Sequence, residues 1–139
     1  MRTKLAVLAA VAGLFLAAAP AWSHHAFAAE FDAKRPVTLK GKVTKLEWIN
    51  PHSWIHIDVT GTDGKATPWM VEGGSPNSMF RRGFTQASLA LGTEIIVEGY
   101  QAKDGANRAV GSDLTFASNG KRLFMGSSSP DSPDAKRDK

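Results

Sequence analysis

The strongest constraint on the fold lies between Glu47 and Val59, where two strand-like runs flank the corner Asn50-Pro51. This pattern predicts one strand before the corner and a second strand from about His52 to Thr60. Side chains of a strand alternate between its two faces. One face of the second strand can therefore build a core, and it carries Ser53, Ile55, Ile57 and Val59. The other face suits binding, because it carries His52, Trp54, His56 and Asp58.

The first 23 residues have the layout of a secretory signal peptide. Arg2 and Lys4 form a cationic start, an apolar run extends from Leu5 to Ala19, and small residues at cleavage spacing follow. The apolar run is shorter than the roughly 20 residues that a spanning helix needs. The sequence therefore predicts a periplasmic protein with no transmembrane segment after cleavage.

Composition limits what the mature chain can be. The 139 residues suit one domain, and the absence of cysteine excludes disulfides, thiolate metal sites and thiol nucleophiles. Removal of Arg2 and Lys4 with the signal peptide lowers the formal charge from +4 to +2. So small a surplus argues against a nucleic-acid partner. No Gly-x-Ser-x-Gly elbow or phosphate-binding loop is present, so we expect a protein that is not an enzyme.

The order of turns and apolar runs predicts three strands, a short helix and two more strands. In the first strand, Val37 to Trp48, the apolar parity shifts near Thr44-Lys45, which predicts a β-bulge, and Gly41 predicts a sharp bend. Ser75-Pro76 predicts the start of the helix. This order is that of a five-stranded Greek-key barrel, the OB-fold. A small antiparallel β-sandwich is the alternative.

The predicted organisation has four parts. Residues 1–23 are the signal peptide, 24–36 a lead-in segment, 37–126 the OB-like barrel and 127–139 a disordered tail with nothing to bury. In the lead-in, Phe27 and Phe31 are four residues apart, so a helical turn would place both against the barrel.

The four histidines predict a transition-metal site, with copper as the first candidate. They are His24 and His25 at the mature N-terminus, and His52 and His56 on one strand face. Strand residues four apart are separated by roughly 13 Å, so His52 and His56 cannot chelate one ion together. Each can pair with a ligand from a neighbouring strand or from the N-terminal segment. The alternative is that no histidine binds a metal. His24 and His25 would then lie in a frayed terminus, His52 would only fix the turn, and His56 would be a half-exposed strand residue.

The cleavage point decides which nitrogen atoms the N-terminus offers. Cleavage before His24, which we favour, leaves an α-amine and an imidazole as a bidentate site. Cleavage before Trp22 leaves His24 third, so that the amine, two amide nitrogens and the imidazole form a tetragonal set that suits Cu(II) or Ni(II).

A second group of side chains offers a surface for a small ligand or a periplasmic partner protein. It contains Trp48, Trp54, Arg81 and Arg82. The alternative is that the tryptophans pack against the core and the arginines sit favourably at the end of a helix. Met70, Met79 and Met125 are soft ligands for Cu(I) or, as the alternative, fill gaps in the core.

Several motifs together resemble a family of small exported proteobacterial proteins catalogued as a domain of unknown function. They are His24-His25-Ala26-Phe27 with Glu30-Phe31-Asp32, Glu47-Trp48-Ile49-Asn50-Pro51-His52, Glu72-Gly73-Gly74-Ser75-Pro76-Asn77, Arg81-Arg82-Gly83, and Glu98-Gly99-Tyr100 with Lys103-Asp104-Gly105. The family usually has Ser where Ala26 stands, so that side chain is not expected to be essential.

The resemblance implies a periplasmic, barrel-like domain and cleavage just before the histidine pair, but no activity. The motifs lie at the N-terminus, the Asn-Pro-His corner and the helix start, and we expect these regions to meet at one end of the barrel. The leading hypothesis is a non-enzymatic periplasmic binding module that takes a transition metal. The alternative is an accessory protein that docks onto a periplasmic or membrane partner.

Overall fold

The computed structural model of the chain describes residues 27–132. The predicted signal peptide, His24, His25 and the end of the predicted tail, 133–139, lie outside the described residues. The strands are β1 (Phe31–Glu47), β2 (Trp54–Thr60), β3 (Ala66–Glu72), β4 (Glu94–Ala102), β5 (Arg108–Phe116) and β6 (Arg122–Phe124). Helix α1 (Pro76–Arg81) and a 3₁₀ helix (Ala87–Leu89) lie between β3 and β4.

One sheet with the order β3-β2-β1-β4-β5-β6 closes on itself through a parallel pairing of β3 with β5. The neighbouring strands pair antiparallel. Strand β1 belongs to both halves, because residues 41–47 pair with β2 and its earlier part pairs with β4. The ring β1-β2-β3-β5-β4, with α1 after β3, confirms the predicted five-stranded OB-like barrel.

The bend and the bulge of β1 lie where the sequence predicts them. The register with β2 shifts between Val43 and Lys45. A Cβ atom on Gly41 would lie 2.4 Å from the carbonyl oxygen of Asp58, so only glycine permits this approach of β1 to β2.

Strand β1 starts at Phe31, six residues before the predicted start at Val37. The added residues pair with β4 from Phe31 to Pro36, with an irregular register between them. The pairing with β2 begins only at Gly41, so Pro36 lies where the strand has a single neighbour. Proline is tolerated there, since its missing N–H deprives no second strand of a bond.

Helix α1 follows its sequence signals. Ser75 is the N-cap and its Oγ accepts a hydrogen bond from the amide of Ser78 at 3.2 Å, with Pro76 at the first turn. Gly83 follows with a φ of 100°, a conformation that favours glycine. No helix within residues 27–132 is both long and apolar enough to cross a membrane.

The barrel encloses one apolar core, and a smaller cluster lies outside it. The core includes Val43, Ile55, Ile57, Val71, Met79, Phe84, Ile95, Val97, Leu114 and Met125. The second cluster contains Phe27, Phe31, Ala102 and Val110, with Tyr100 packed against it. Ala109 belongs to the core and Val110 to the second cluster, so the two clusters occupy opposite faces of β5.

The start of the predicted tail lies against the barrel. Ser127, Ser129 and Ser132 are buried. The hydroxyl of Ser112 donates to the hydroxyl of Ser129 at 2.8 Å, and Ser127 donates to the carbonyl of Gly111. The serine hydroxyls can be buried because they form hydrogen bonds, even though the segment has few apolar side chains. The composition of the segment did not predict this burial.

Candidate functional site

The two faces of β2 carry the side chains that alternation predicts. Ile55 and Ile57 are fully buried in the core. Trp54 and His56 are half-buried on the outer face of the barrel. Trp54 lies between two carboxylate-bearing neighbours, because it pairs with Glu47 on β1 and with Glu72 on β3.

His52 sits just before β2 and contacts a buried carboxylate. Its Nδ1 lies 2.8 Å from Oε1 of Glu72, and the side chains are 40% and 5% exposed. The peptide bond between Asn50 and Pro51 is cis. Close to it, the backbone N–H of Ser53 donates to the carbonyl of Gly74, and the carbonyl of Ser53 accepts from the amide of Gly73, both at 2.9 Å. These backbone bonds fix the corner against the end of β3.

The carboxyl of Glu72 has an unusual environment. Its pKa is raised from 4.5 to about 7, chiefly by burial and then by the nearby Glu30, against a lowering effect of Arg108. Only 4% of the residue is exposed, although it follows the buried Val71 and thus faces outward from the barrel. The segment that precedes β1 covers this face. Sequence reasoning did not single out Glu72; its place in the Glu-Gly-Gly-Ser-Pro motif was the available signal.

The covering segment consists of residues 27–30, and several contacts hold it in place. Residues 27–30 are helical, and the Phe27 ring meets the Tyr100 ring edge-on at 5.8 Å. The amide of Lys103 donates to the carbonyl of Glu30 at 2.9 Å, and the side chain of Lys103 donates to the carbonyl of Ala28. The guanidinium of Arg108 lies 3.0 Å from the Glu30 carboxylate.

These contacts place residues from all three motif regions close to one another. Phe27 and Val110 belong to the same buried apolar cluster. Val110 is the register partner of Glu72 in the β3–β5 pairing, and Glu72 contacts His52. The segment that directly follows the predicted histidine pair therefore lies beside the Asn-Pro-His corner. His24 and His25 themselves are outside the described residues.

His56 is paired separately. Its Nε2 lies 2.7 Å from Oε2 of Glu47, whose other carboxylate oxygen accepts from the Lys45 ammonium at 3.0 Å. The bonds from His56 and Lys45 lower the pKa of Glu47, in that order of size. His52 and His56 thus use different carboxylates. Among residues 27–132, no three His, Asp or Glu side chains are grouped as a metal site.

The remaining predicted residues occupy different parts of the barrel. Trp48 is half-buried and packs against the core, whereas Trp54 faces outward. Arg81 is exposed and its Nε donates to the carbonyl of Asn77 at 3.4 Å. Arg82 lies over the ring of Phe124, with its guanidinium carbon 4.4 Å from the ring centroid. The positions of Trp48 and the two arginines are consistent with the packing alternative, whereas the outward-facing Trp54 is not packed against the core.

Comparison with known proteins gives a family without an assigned activity. No curated protein and no solved structure matches the chain. A family described as being of unknown function, DUF6152, matches residues 11–112. This match covers more than half of the chain, and it includes the corner, β3 and most of β5. The chain therefore belongs to DUF6152, a family of unknown function.

Proposed function

We propose that this protein is an exported, non-enzymatic binding module. It takes up a transition metal ion, with copper as the first candidate, at His52 beside the Asn-Pro corner. The observation that supports this proposal is the pair of His52 with Glu72 at 2.8 Å. Above its raised pKa of about 7, the ionised Glu72 carboxylate accepts a hydrogen bond from Nδ1–H of His52, which leaves a lone pair on Nε2. Imidazoles that bind metals are commonly oriented in this way by a carboxylate.

The N-terminal histidines are the proposed partners of His52. A chain advances at most about 3.5 Å per residue, so His24 and His25 lie within roughly 10 Å of Phe27 along the backbone. Phe27 is buried in the same apolar cluster as Val110, whose strand partner is Glu72. This reach supports a site in which His24, His25 and His52 converge, with the new terminal amine as a further nitrogen ligand.

Export is part of the proposal, because the α-amine becomes available only after the signal peptide is removed. Cleavage before His24 would give an amine and three imidazoles, a nitrogen set that suits Cu(II). A site in the periplasm would meet copper without competition from cysteine thiols of this chain, which has none.

Titration of correctly processed protein with Cu(II) by calorimetry tests the proposal. We expect one ion per chain, with binding weakened at least tenfold in His52→Ala and lost in the double variant His24→Ala/His25→Ala. Bound Cu(II) should also quench Trp54, which follows the corner directly. His56→Ala is the matched control and should bind Cu(II) as the wild type does. Equal uptake by all four proteins would refute the proposal.

The alternative proposal is docking onto a periplasmic or membrane partner. It is favoured by exposed apolar side chains, namely Ile49, Phe80 and Leu91, at 54%, 63% and 72% exposure. Such side chains contribute to protein interfaces. This proposal predicts capture of one defined partner that survives a chelator and is lost in Trp54→Ala. Capture that depends on copper would contradict it.

A further inference from the structure

A second pair of potential metal ligands lies on the outer face of β2 and β3. His56 and Met70 are direct partners in the antiparallel register of these strands. Side chains at such positions have Cβ atoms roughly 4.5–5.5 Å apart. Both residues are half-buried, and their neighbours Ile57 and Val71 point into the core. His56 and Met70 are therefore neighbours on the same outer surface.

Glu47 determines which nitrogen of His56 is available. The Nε2 of His56 contacts the Glu47 carboxylate at 2.7 Å, and this carboxylate is also held by Lys45. A carboxylate accepts hydrogen bonds, so Nε2 carries the proton in the neutral ring and Nδ1 keeps its lone pair. Within residues 27–132, no hydrogen bond to Nδ1 is present. This carboxylate–imidazole arrangement is typical of a ligand poised for a metal.

Trp54 completes the group. It lies two residues before His56 on the same face of β2 and diagonal to Met70, since its direct partner on β3 is Glu72. Diagonal neighbours in a sheet are within reach of aromatic and long side chains. A cation held between His56 and Met70 would thus lie close to an indole ring, which attracts cations through its π face.

We propose that His56 Nδ1 and Met70 Sδ bind Cu(I), with Trp54 shielding the ion. A thioether is a soft ligand that favours Cu(I) over Zn²⁺ or Cu(II). This site extends the proposed function to the reduced ion, but it uses none of the N-terminal histidines. Its presence or absence is therefore independent of the site at His52.

The test is a competition for Cu(I) between the protein and a chromogenic Cu(I) chelator, without oxygen and with ascorbate present. We expect Met70→Leu to weaken Cu(I) binding by at least tenfold and to leave Cu(II) binding at the corner unchanged. Met79→Leu is the matched control, because Met79 is a fully buried core residue. It should bind Cu(I) as the wild type does. Leucine is close to methionine in volume, so both variants should fold.

A second measurement places the ion. With methionine methyl groups labelled for NMR, Cu(I) should shift the Met70 signal most, and this shift should persist in the His24→Ala/His25→Ala variant. Unchanged Cu(I) affinity in Met70→Leu, or loss of Cu(I) binding in the double histidine variant alone, would overturn the inference. Neither result would affect Cu(II) binding at His52.

Discussion

Glu72 is a buried carboxyl with a histidine, a second carboxylate and an arginine close by. The side chain is 5% exposed, contacts His52, and lies near Glu30 and Arg108. Its raised pKa places its titration close to neutral pH. A carboxyl of this kind is a frequent sign of a functional site, because burial of a titratable group is costly without a purpose.

The pH dependence of the free energy of unfolding should reveal the raised pKa of Glu72. Between pH 4.5 and about 7 the unfolded chain has lost this proton and the folded chain retains it. The free energy of unfolding should therefore fall as pH rises through this window, by up to about 3 kcal/mol. Glu72→Gln should remove most of this slope in urea denaturation from pH 4.5 to 7.5. The control is Glu98→Gln, which changes an exposed ion pair with Arg122 and should keep the slope. If Glu72→Gln also kept the slope, the pH dependence would arise from other groups.

Gly41 offers a second test on one residue. Gly41→Ala would place a methyl group 2.4 Å from the backbone oxygen of Asp58, which cannot move without separating β1 from β2. We expect a loss of about 2–4 kcal/mol in the free energy of unfolding, as for overpacking or a strained backbone. Gly61→Ala is the control, since its new methyl group would crowd only the Asp63 side chain, at 2.9 Å, and would meet the Lys65 carbonyl at an ordinary contact distance of 3.7 Å. Similar midpoints for both variants in thermal melts would contradict this explanation.

At the scale of elements, the segment before β1 is fastened to the outer face of the barrel. It is joined to β5 by the ion pair of Glu30 with Arg108, and to the end of β4 by Lys103. It also buries Phe27 and Phe31. The sequence predicted the packing of these two rings from their spacing. It did not indicate the ion pair, because nothing local links residues so distant in the chain.

The contribution of the Glu30–Arg108 ion pair to the order of this segment can be measured without any metal. Arg108→Gln should increase hydrogen exchange of residues 27–31 severalfold, since it removes the ion pair with Glu30. The core strands should keep their protection. Arg122→Gln removes a comparable double ion pair, with Glu98 and Asp113, at another place and serves as the control. Unaltered exchange in Arg108→Gln would mean that the apolar contacts alone hold the segment.

Sequence reasoning succeeded where the signal is local. Alternation placed Ile55 and Ile57 inside and His56 outside, and Ser75 with Pro76 marked the start of α1. It failed where partners are distant. The contact of His52 with Glu72 depends on how β2 and β3 align, and the first residues of β1 depend on a pairing with β4. Neither register can be derived from periodicity in one segment.

Across the whole molecule, the two ends of the described chain meet at Tyr100. The Phe27 ring packs edge-on against the Tyr100 ring, and the Tyr100 hydroxyl donates to Asp131. This hydrogen bond, with burial, raises the pKa of Tyr100 to about 12. The residues after β6 are thus part of the folded barrel up to Ser132.

Nested truncations test the contribution of this last segment. A chain that ends at Ser132 should be as stable as the full chain, because the buried serines are retained. A chain that ends at Gly126 should lose roughly 1–3 kcal/mol, since it lacks the hydrogen bonds to Ser112 and Tyr100. The free energies come from urea denaturation. Equal stability of the two truncated chains would show that residues 127–132 add nothing to folding.

The meeting of both ends at one tyrosine makes the chain suitable for circular permutation. A short glycine-rich linker could join the residue after Ser132 to His24, and new ends could open at the exposed turn around Gly64. In such a permutant the former N-terminus has no α-amine, while the corner, the barrel and all histidines remain. It would separate the chemistry of a free amine from that of the imidazoles beside it.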